Sequence, residues 1–410
     1  MARLVAMVMA AVLAILPLTA AGGPSAAAGD QGAAARLSAQ VADNNTFAFE
    51  MYKQLSATEQ DKNMFFSPLS VSTALGMTYA GARGETERQM AATLRFNLPQ
   101  DELHAAFAAL SDRLKATGAG GYRLSIANAL WGQKGFYFDE GFLGIVNRHY
   151  QGGFNTVDFA GDTEGSRQTI NSWVERNTAD KIKNLLAKDD INELTRLVLT
   201  NAIYFKGDWA AKFKPEQTRT APFYIRPDEK TDVQMMRQTG PFAYAAVDGA
   251  QILELPYAGG ELSMVVLLPA AGDEDFAARI TPDKLAGWLA GLSEQEMAVS
   301  LPKFKFEARY GLGPVLSAMG MPDAFDVPPA DFSGMTGEKN LYITKVIHQA
   351  FIEVNEEGSE AAAATAVVMG VKSVFRPAEF KADRPFVFLI RHKATGAILF
   401  LGRVNNPADK

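Results

Sequence analysis

The sequence predicts an α+β fold in which helices dominate the first part of the chain and strands the last part. Amphipathic helical patterns come early, whereas long runs of β-branched and aromatic residues come late. The 410 residues are 48% hydrophobic and 21% charged, an ordinary globular balance with ample apolar material for a large core. The sequence contains no internal repeat and no proline- or glycine-rich linker in its middle. We therefore expect a single domain over residues 44–410, although chains of this length often form two or three domains.

The first 21 residues have the pattern of a secretory signal peptide. Arg3 supplies a positive start, residues 4–16 (LVAMVMAAVLAIL) form an apolar run, and Pro17 ends it. The run is too short to span a bilayer comfortably, so a membrane anchor or a buried helix is the weaker interpretation. We expect cleavage after Ala21, with Ala28 as the alternative, and hence a secreted protein that is extracellular or periplasmic.

Helical patterns follow a segment, residues 22–43, that we expect to be disordered because it begins with an Ala/Gly-rich stretch. TFAFEMYKQL then places Phe47, Met51 and Leu55 at four-residue spacing, which gives a helix one apolar stripe. SPLSVSTALGMTYAGA predicts a second helix, because Ser-Pro is typical of a helix start. TEGSRQTINSWVERNTADKIKNLL predicts another helix.

Strand patterns dominate the later part of the chain. LTRLVLTNAIYFKGDW and LYITKVIHQAFIEVNEEG predict two long strands, because both are rich in β-branched and aromatic residues. ILELPYAGGELSMVVLLP predicts a hairpin with a Gly-Gly turn, and FVFLIRHKATGAILFLGRVNNP predicts a C-terminal hairpin. After the signal peptide no segment reaches about 18 uninterrupted apolar residues, so we expect no membrane span.

Residues 356–380, EEGSEAAAATAVVMGVKSVFRPAEF, lie between two strong strand patterns. Their alanines favour a short surface helix, but the segment lacks the large apolar residues that would pack such a helix against the core. Gly358 begins it and Pro377 ends it, and a connection this long is either functional or disordered. As a strand, it would turn small side chains, beginning with Ser359, to one face and Glu360 to the other. Such a strip could slide between two existing strands without steric conflict.

Taken together, these stretches resemble the serpin family from about Asn44 to Pro407. The matching stretches occur in the family's order and spacing: NMFFSPLSVSTALGMTYAGA, INSWVERNTADKIKNLL, LTNAIYFKGDW, LPKFKFEARYGL, ADFSGMT, KVIHQAFIEVNEEGSEAAAATA and KADRPFVFLI. Several long matches in one order are more specific than one short motif. The resemblance implies a serpin fold with three β-sheets, about eight or nine helices and an exposed reactive loop. It also implies suicide-substrate inhibition of a serine protease, with loop cleavage, covalent acyl-enzyme trapping and loop insertion into the central sheet.

The resemblance assigns a hinge to the start of the loop. Family members that inhibit carry small residues there, whereas members that have lost inhibition often carry charged or bulky residues or proline. The hinge residues fit the inhibitory pattern: Gly358, Ser359, Glu360, Ala361, Ala362, Ala363, Ala364 and Thr365. They favour an inhibitor over the alternative, a non-inhibitory serpin that acts as a binding or chaperone-like protein. A structural extracytoplasmic protein is a third and weaker alternative.

The resemblance also assigns two clusters in the central sheet. The shutter cluster, a buried polar group under the opening of that sheet, comprises Ser67, Ser70, Asn201 and His348. The breach cluster, at the top of the sheet where insertion starts, comprises Trp209, Lys303 and Glu356. From the residues alone, a histidine in an apolar strand is more often a hydrogen-bonded core group than a catalyst. In the same way, Lys303 and Glu356 could form a solvated surface ion pair that contributes little to stability.

The bond expected to be attacked joins Lys372 and Ser373. Lys372 stands sixteen residues after Glu356, where the family usually places the residue before the scissile bond. A lysine there suits proteases whose primary pocket holds a carboxylate, as trypsin's does. We therefore expect a trypsin-like serine protease as the partner.

Other bonds in the loop stay open as alternatives. Arg376 is a poorer candidate because Pro377 follows it. Met369–Gly370 would suit elastase-like or chymotrypsin-like enzymes. A shift of the register by one residue would make Val371 the residue before the bond.

Motifs and composition argue against several other functions. No G-x-S-x-G elbow or HExxH motif is present, and we expect the protein not to be an enzyme and to need no cofactor or metal. The absence of cysteine removes disulfides and thiolate sites. The net charge of −6, without a basic stripe after Glu102, argues against nucleic acid and heparin-type partners. We expect a monomer without a membrane partner.

Overall fold

A computed structural model describes residues 25–116, 122–151, 153–273, 275–359 and 377–409 of the chain. The described residues combine helices with two large sheets, which confirms the predicted α+β class. The predicted signal peptide, residues 1–21, and the predicted reactive bond between Lys372 and Ser373 lie outside the described residues.

The α-helices of the described part begin before the first strand and are most frequent in the first half of the chain. They are α1 (Ser25–Thr58), α2 (Pro68–Tyr79), α3 (Gly84–Leu94), α4 (Gln100–Ala116), α5 (Glu140–His149), α6 (Thr163–Asn177), α7 (Pro282–Ala290), α8 (Gly313–Met319) and α9 (Ser333–Thr336).

The first helix, α1, begins earlier than the sequence predicts. We expect disorder over residues 22–43, but the structure corrects this for residues 25–43, which belong to the helix. Leu37 and Val41 are buried and continue the predicted apolar stripe at helical spacing. Because the alanine-rich start has a high helix propensity, this anchoring extends the helix toward the N-terminus.

α6 is shorter than predicted. The pattern predicts a helix over residues 163–186, whereas α6 ends at Asn177. Ala179 and Asp180 have φ values of 52° and 58°, which interrupt a right-handed helix. The Asn171 side chain then accepts a hydrogen bond from the Leu186 N–H at 2.8 Å and donates one to the Leu186 carbonyl at 3.0 Å. These bonds hold the following segment against α6 and replace the helical ones.

The strands of the described part are β1 (Met64–Phe66), β2 (Tyr122–Gln133), β3 (Phe154–Val157), β4 (Leu197–Asp208), β5 (Arg219–Arg226), β6 (Glu229–Val247), β7 (Ala250–Pro256), β8 (Leu262–Pro269), β9 (Ser293–Pro302), β10 (Phe304–Gly311), β11 (Lys345–Val354), β12 (Gly358–Ser359), β13 (Ala378–Lys381), β14 (Phe386–His392) and β15 (Ile398–Val404). The two predicted hairpins are β7–β8 and β14–β15, and the two predicted long strands are β4 and β11.

By hydrogen bonding, the described strands form two sheets where the resemblance implies three. One sheet has six strands in the order β10-β11-β4-β2-β3, with β12 added at β4. The other has nine strands in the order β1-β15-β14-β8-β7-β6-β9-β13, with β5 at β6. The long β6 pairs with β5 and β9 and then, over Ala243–Val247, with β7. This strand therefore joins two regions that would otherwise count as separate sheets.

α2 forms the centre of the main core. All of its residues except Thr73 are buried, because the helix contacts β2 and β4 of one sheet and β15 of the other. α6 covers the opposite face of the six-stranded sheet, where Ile170 and Val174 pack with Trp131. Within the described part of the chain, no helix has the length and apolar character needed to cross a membrane.

Candidate functional site

The candidate site is built on β4 and β11, which are parallel neighbours in the six-stranded sheet. Their ladder runs from Lys345 opposite Val198 to Phe351 opposite Tyr204. Beyond it, β12 pairs with β4 in the antiparallel sense. The other side of β4 is occupied by β2, so β12 lies on the same side of β4 as β11. After β11 the chain therefore turns back and begins a new strand between β4 and β11.

Gly358 is the first residue of this new strand. Its φ of 150° lies in a region that favours glycine. A Cβ atom at this position would lie 2.1 Å from the Gly207 carbonyl oxygen and 2.6 Å from the Asp208 Cα. Because both contacts are with backbone atoms, no side-chain movement could relieve them, and β12 requires glycine here.

Ser359 is the first side chain of the loop that enters the sheet. It is 1% exposed, and its hydroxyl lies 2.9 Å from the hydroxyl of Tyr257. Tyr257 in turn stacks on Trp209 with ring centroids 4.7 Å apart, and burial raises the pKa of the Tyr257 hydroxyl. Sequence reasoning missed Tyr257, whose only signal was an aromatic residue next to the predicted Gly-Gly turn.

The acidic pair before the hinge is held by hydrogen bonds and charge. Lys303 Nζ lies 2.7 Å from the Glu356 carboxylate, and the Thr218 hydroxyl donates to the same carboxylate at 2.8 Å. The Glu356 side chain is 11% exposed. Burial acts to raise the pKa of Glu356, but these hydrogen bonds outweigh it, so that the pKa lies below its ordinary value. Lys212 Nζ binds Glu357 at 2.5 Å.

Trp209 links this acidic pair to the sheet. Its indole N–H donates to the Asn355 carbonyl at 3.0 Å, and its backbone N–H donates to the Glu357 carbonyl at 2.8 Å. The structure therefore brings together all three predicted residues of the breach cluster around the turn that starts β12. Thr218 and Lys212 were not predicted, because neither lies in a recognisable pattern.

His348 lies at the centre of the shutter cluster. It is fully buried, and its Nε2 accepts a hydrogen bond from the Ser67 N–H at 3.1 Å, while Nδ1 donates to the Asn201 side-chain oxygen. Burial lowers the pKa of His348 to about 3, so the ring is neutral at neutral pH. Since both ring nitrogens are engaged in hydrogen bonds, His348 is a structural group.

The other polar groups of the shutter cluster complete a network across the sheet. The Asn201 amide donates to Ser70 Oγ at 2.7 Å and to Asn128 Oδ1 at 2.6 Å. The Asn128 amide donates to the Ser70 carbonyl at 3.1 Å. Sequence reasoning missed Asn128, although an asparagine inside a strand pattern was a signal. Because Asn201 and His348 are directly opposite on β4 and β11, the network spans the joint between these strands.

The remaining predicted hinge residues lie outside the described residues: Glu360, Ala361, Ala362, Ala363, Ala364 and Thr365. The described residues include no group of three or more histidines or carboxylates arranged to hold a metal ion.

Comparison with known proteins gives one consistent family. The sequence model described as "Serpin (serine protease inhibitor)" matches residues 42–407. The leukocyte elastase inhibitor of Xenopus tropicalis is 42% identical over 369 residues, which cover 88% of this chain and 97% of the relative. Uncleaved ovalbumin superposes with a TM-score of 0.80 at 34% identity, over 90% of this chain and all of that one. Human thyroxine-binding globulin superposes with a TM-score of 0.82 at 32% identity, over 91% of this chain and 100% of that one.

Proposed function

The chain belongs to the serpin family, and on this premise we propose that it is a suicide-substrate inhibitor of trypsin-like serine proteases. Members of this family that inhibit serine proteases are not catalytic enzymes, so the target protease supplies the chemistry. This chain supplies a bait bond and a sheet that can accept a new strand.

One observation carries the proposal: the chain already forms the first ladder pairs of that new strand. Gly358 and Ser359 pair with Asp208 and Gly207 in the position that an inserted loop would occupy. The next residues in the sequence are Glu360 and four alanines, whose small side chains raise little steric barrier to further insertion.

The proposed reaction begins at the carbonyl carbon of Lys372. The serine hydroxyl of the protease attacks this carbon, the bond to the nitrogen of Ser373 breaks, and Lys372 becomes an ester of the protease. The new amino terminus at Ser373 leaves with the proton that the protease's histidine has taken from the serine. Hydrolysis of the ester by water would release active protease, so inhibition requires that insertion is faster than hydrolysis.

The register of β12 defines the path of insertion. Continuing it in two-residue steps places Ala361 opposite Phe205 and Thr365 opposite Asn201. The inserted strand would therefore separate Asn201 from His348 and break their hydrogen bond. The Thr365 hydroxyl, opposite Asn201, would then offer a new hydrogen-bond partner in its place. Each buried group left without a partner would cost about 1–3 kcal/mol, so this exchange keeps the barrier low.

Trypsin-like specificity is supported by Lys372, whose side chain matches a carboxylate at the base of a protease's primary pocket. The names of several relatives instead favour elastase-type targets, since they are leukocyte elastase inhibitors. In this chain an elastase-like enzyme would find Met369–Gly370, or Val371 if the register shifts by one residue. Parallel assays with trypsin and with elastase separate these alternatives.

We also propose that the protein is exported. This rests on residues 1–21, whose positive start, apolar run and small residues form the pattern of a signal peptide. Sequencing of the amino terminus of protein purified outside the producing cell tests the proposal, and a terminus at Gly22 is expected.

The test of function mixes purified protein with trypsin and, in parallel, with pancreatic elastase. We expect an adduct with trypsin that survives SDS, and a new amino terminus at Ser373. Lys372→Glu should abolish the trypsin adduct, because a carboxylate would meet the carboxylate of the primary pocket. An adduct with elastase alone, cleaved after Met369 or Val371, would contradict the trypsin assignment. Cleavage without any adduct would favour the non-inhibitory alternative.

A further inference from the structure

A cavity separate from the loop and the breach cluster lies beside the outer part of β2. It has a volume of about 520 Å³, which is within the usual range for small-ligand sites. Its walls come from α2, α4, β2, the end of α5 with the segment that follows it, and the end of α6. The outer residues of β2 form an edge of the described sheet, because β3 pairs only with Leu130–Gln133.

The interior of the cavity is apolar. Leu124 is half-buried and lies on the face of β2 that packs against the main core. Ile126, two residues further along the strand, lies on the same face, yet its side chain is 40% exposed. An exposed isoleucine on that face marks a gap in the packing. The aliphatic and phenylalanine side chains that line this gap are Leu69, Met77, Phe107, Leu110, Leu114, Leu124 and Ile126.

The charged side chains that line the cavity are all positive. Lys115 and Arg123 are both exposed and belong to the lining, and none of the described lining residues is acidic. Lys115 also contacts the Gln151 side-chain oxygen, so α4 and the segment after α5 hold a cationic group at the cavity. His149 lines the cavity too, but burial lowers its pKa, so the lasting charges are Lys115 and Arg123.

We propose that this cavity binds an anionic amphiphile, namely a fatty-acid-like monocarboxylate whose chain fills the apolar interior and whose head meets Lys115 and Arg123. The apolar lining supplies the binding energy through buried chain area. The two cations select a carboxylate head over a neutral or cationic head of the same length. The proposal does not depend on the proposed protease inhibition.

Calorimetric titration of the full-length protein with dodecanoate, below its micelle concentration, tests the site. We expect saturable binding of one molecule per chain, with weaker binding of dodecyltrimethylammonium, which has the same chain and the opposite charge. Octanoate should bind at least about tenfold more weakly than dodecanoate, since each buried methylene contributes to affinity. Equal affinity for the two head groups, or no saturable binding, would overturn the proposal.

Charge-reversal variants locate the site. Lys115→Glu combined with Arg123→Glu should weaken dodecanoate by about tenfold or more and should reverse the preference between the two head groups. Ile126→Glu, which places a carboxylate in the cavity at a partly exposed position, should act in the same direction. Lys284→Glu, at an exposed lysine of α7 outside the lining, is the matched control and should leave binding unchanged. Dodecanoate affinity that is equal in all three variants would place binding elsewhere and refute the site.

Discussion

Ser359 is the residue on which the proposed mechanism most directly depends. It is the first side chain of the loop inside the sheet, and it is buried against Tyr257. Its size and neutrality let the strand begin without displacing the aromatic pair of Tyr257 and Trp209. A charged or larger side chain at this position would have to displace that pair or stay outside the sheet.

Ser359→Arg should convert the inhibitor into a substrate. An unpaired charge costs several kcal/mol to bury, and each ~1.4 kcal/mol on the insertion barrier slows insertion about tenfold. Hydrolysis of the acyl-enzyme depends on the protease and should not change. We therefore expect cleavage at Lys372–Ser373 with release of active trypsin, measured as the number of inhibitor molecules consumed per protease inactivated.

Glu360→Arg is the control for this variant. Strand alternation turns residue 360 to the opposite face of an inserted loop, beside the partly exposed Lys206 in the register of β12. Its charge would not enter the main core, so inhibition should be far less affected than in Ser359→Arg. Equal inhibition by both variants would show that the alternation assumed for the loop is wrong.

His348 makes stability depend on pH. Its pKa is about 3 in the folded protein, compared with about 6.5 when exposed, so the unfolded chain binds more protons between these values. The contribution of His348 to the free energy of unfolding is therefore fully present above pH 6.5. It falls by about 1.4 kcal/mol per pH unit as the pH drops from 6.5 toward 3. Urea midpoints measured from pH 7.5 to pH 5 should show the decrease.

The share that belongs to His348 can be isolated by substitution. His104, whose pKa burial lowers to about 4, contributes in the same direction, and so do His149 and His392, whose pKa values burial also lowers. His348→Asn should lower stability at pH 7.5 but should flatten the pH dependence below 6.5, leaving the share of the other three histidines. Parallel pH profiles for the variant and the unmodified protein would contradict the assignment of this dependence to His348.

At the scale of elements, β12 is the feature that connects the loop to the sheet. It has only two residues, yet the backbone bonds of Trp209 and Phe213 to the carbonyls of Glu357 and Glu356 hold the turn before it. The joint between β4 and β11 is therefore already open at its top and closed at His348 and Asn201. In the proposed mechanism, further insertion would extend this existing strand, so no new strand would have to be nucleated.

Gly358→Ala should remove β12 from the sheet. Its Cβ would meet the Gly207 carbonyl at 2.1 Å, so the pair of residues must leave the ladder. We expect faster hydrogen exchange at the Trp209 amide, whose bond to Glu357 depends on this turn, and a larger fraction of cleaved, non-inhibitory protein. Gly311→Ala, where the added methyl group meets open space, is the matched control. Unchanged exchange at Trp209 in Gly358→Ala would contradict the role of β12.

At the scale of the whole molecule, insertion should make the cleaved protein more stable than the intact one. The inserted strand would gain hydrogen bonds on both sides, each worth about 0.5–1.5 kcal/mol net. Val367 and Met369 would add buried apolar area at about 25 cal/mol per Å². We expect the protein nicked at Lys372–Ser373 to melt well above the intact protein in calorimetry. An equal or lower melting temperature would argue for a loop that does not insert.

Much of this molecule could be predicted from its sequence, because the signals are local patterns. The α+β class, the long strands β4 and β11, and the two hairpins follow from apolar periodicity and turn residues. The early start of α1 and the early end of α6 did not follow. They depend on burial of Leu37 against the core and on the bonds from Asn171 to Leu186, which no local pattern contains.

By itself, the sequence determined the family and the hinge composition, since each is carried by neighbouring residues in the chain, and it is the basis on which we propose Lys372 as the bait residue. Only the tertiary structure decided that Ser359 meets Tyr257, 102 residues away, and that Asn128 joins Asn201 across 73 residues. It also decided that Ile126 lies open to a cavity beside two cations. The physical reason is that hydrogen bonds, buried contacts and electric fields act through space, so partners distant in sequence are set by the packing of the sheets around α2.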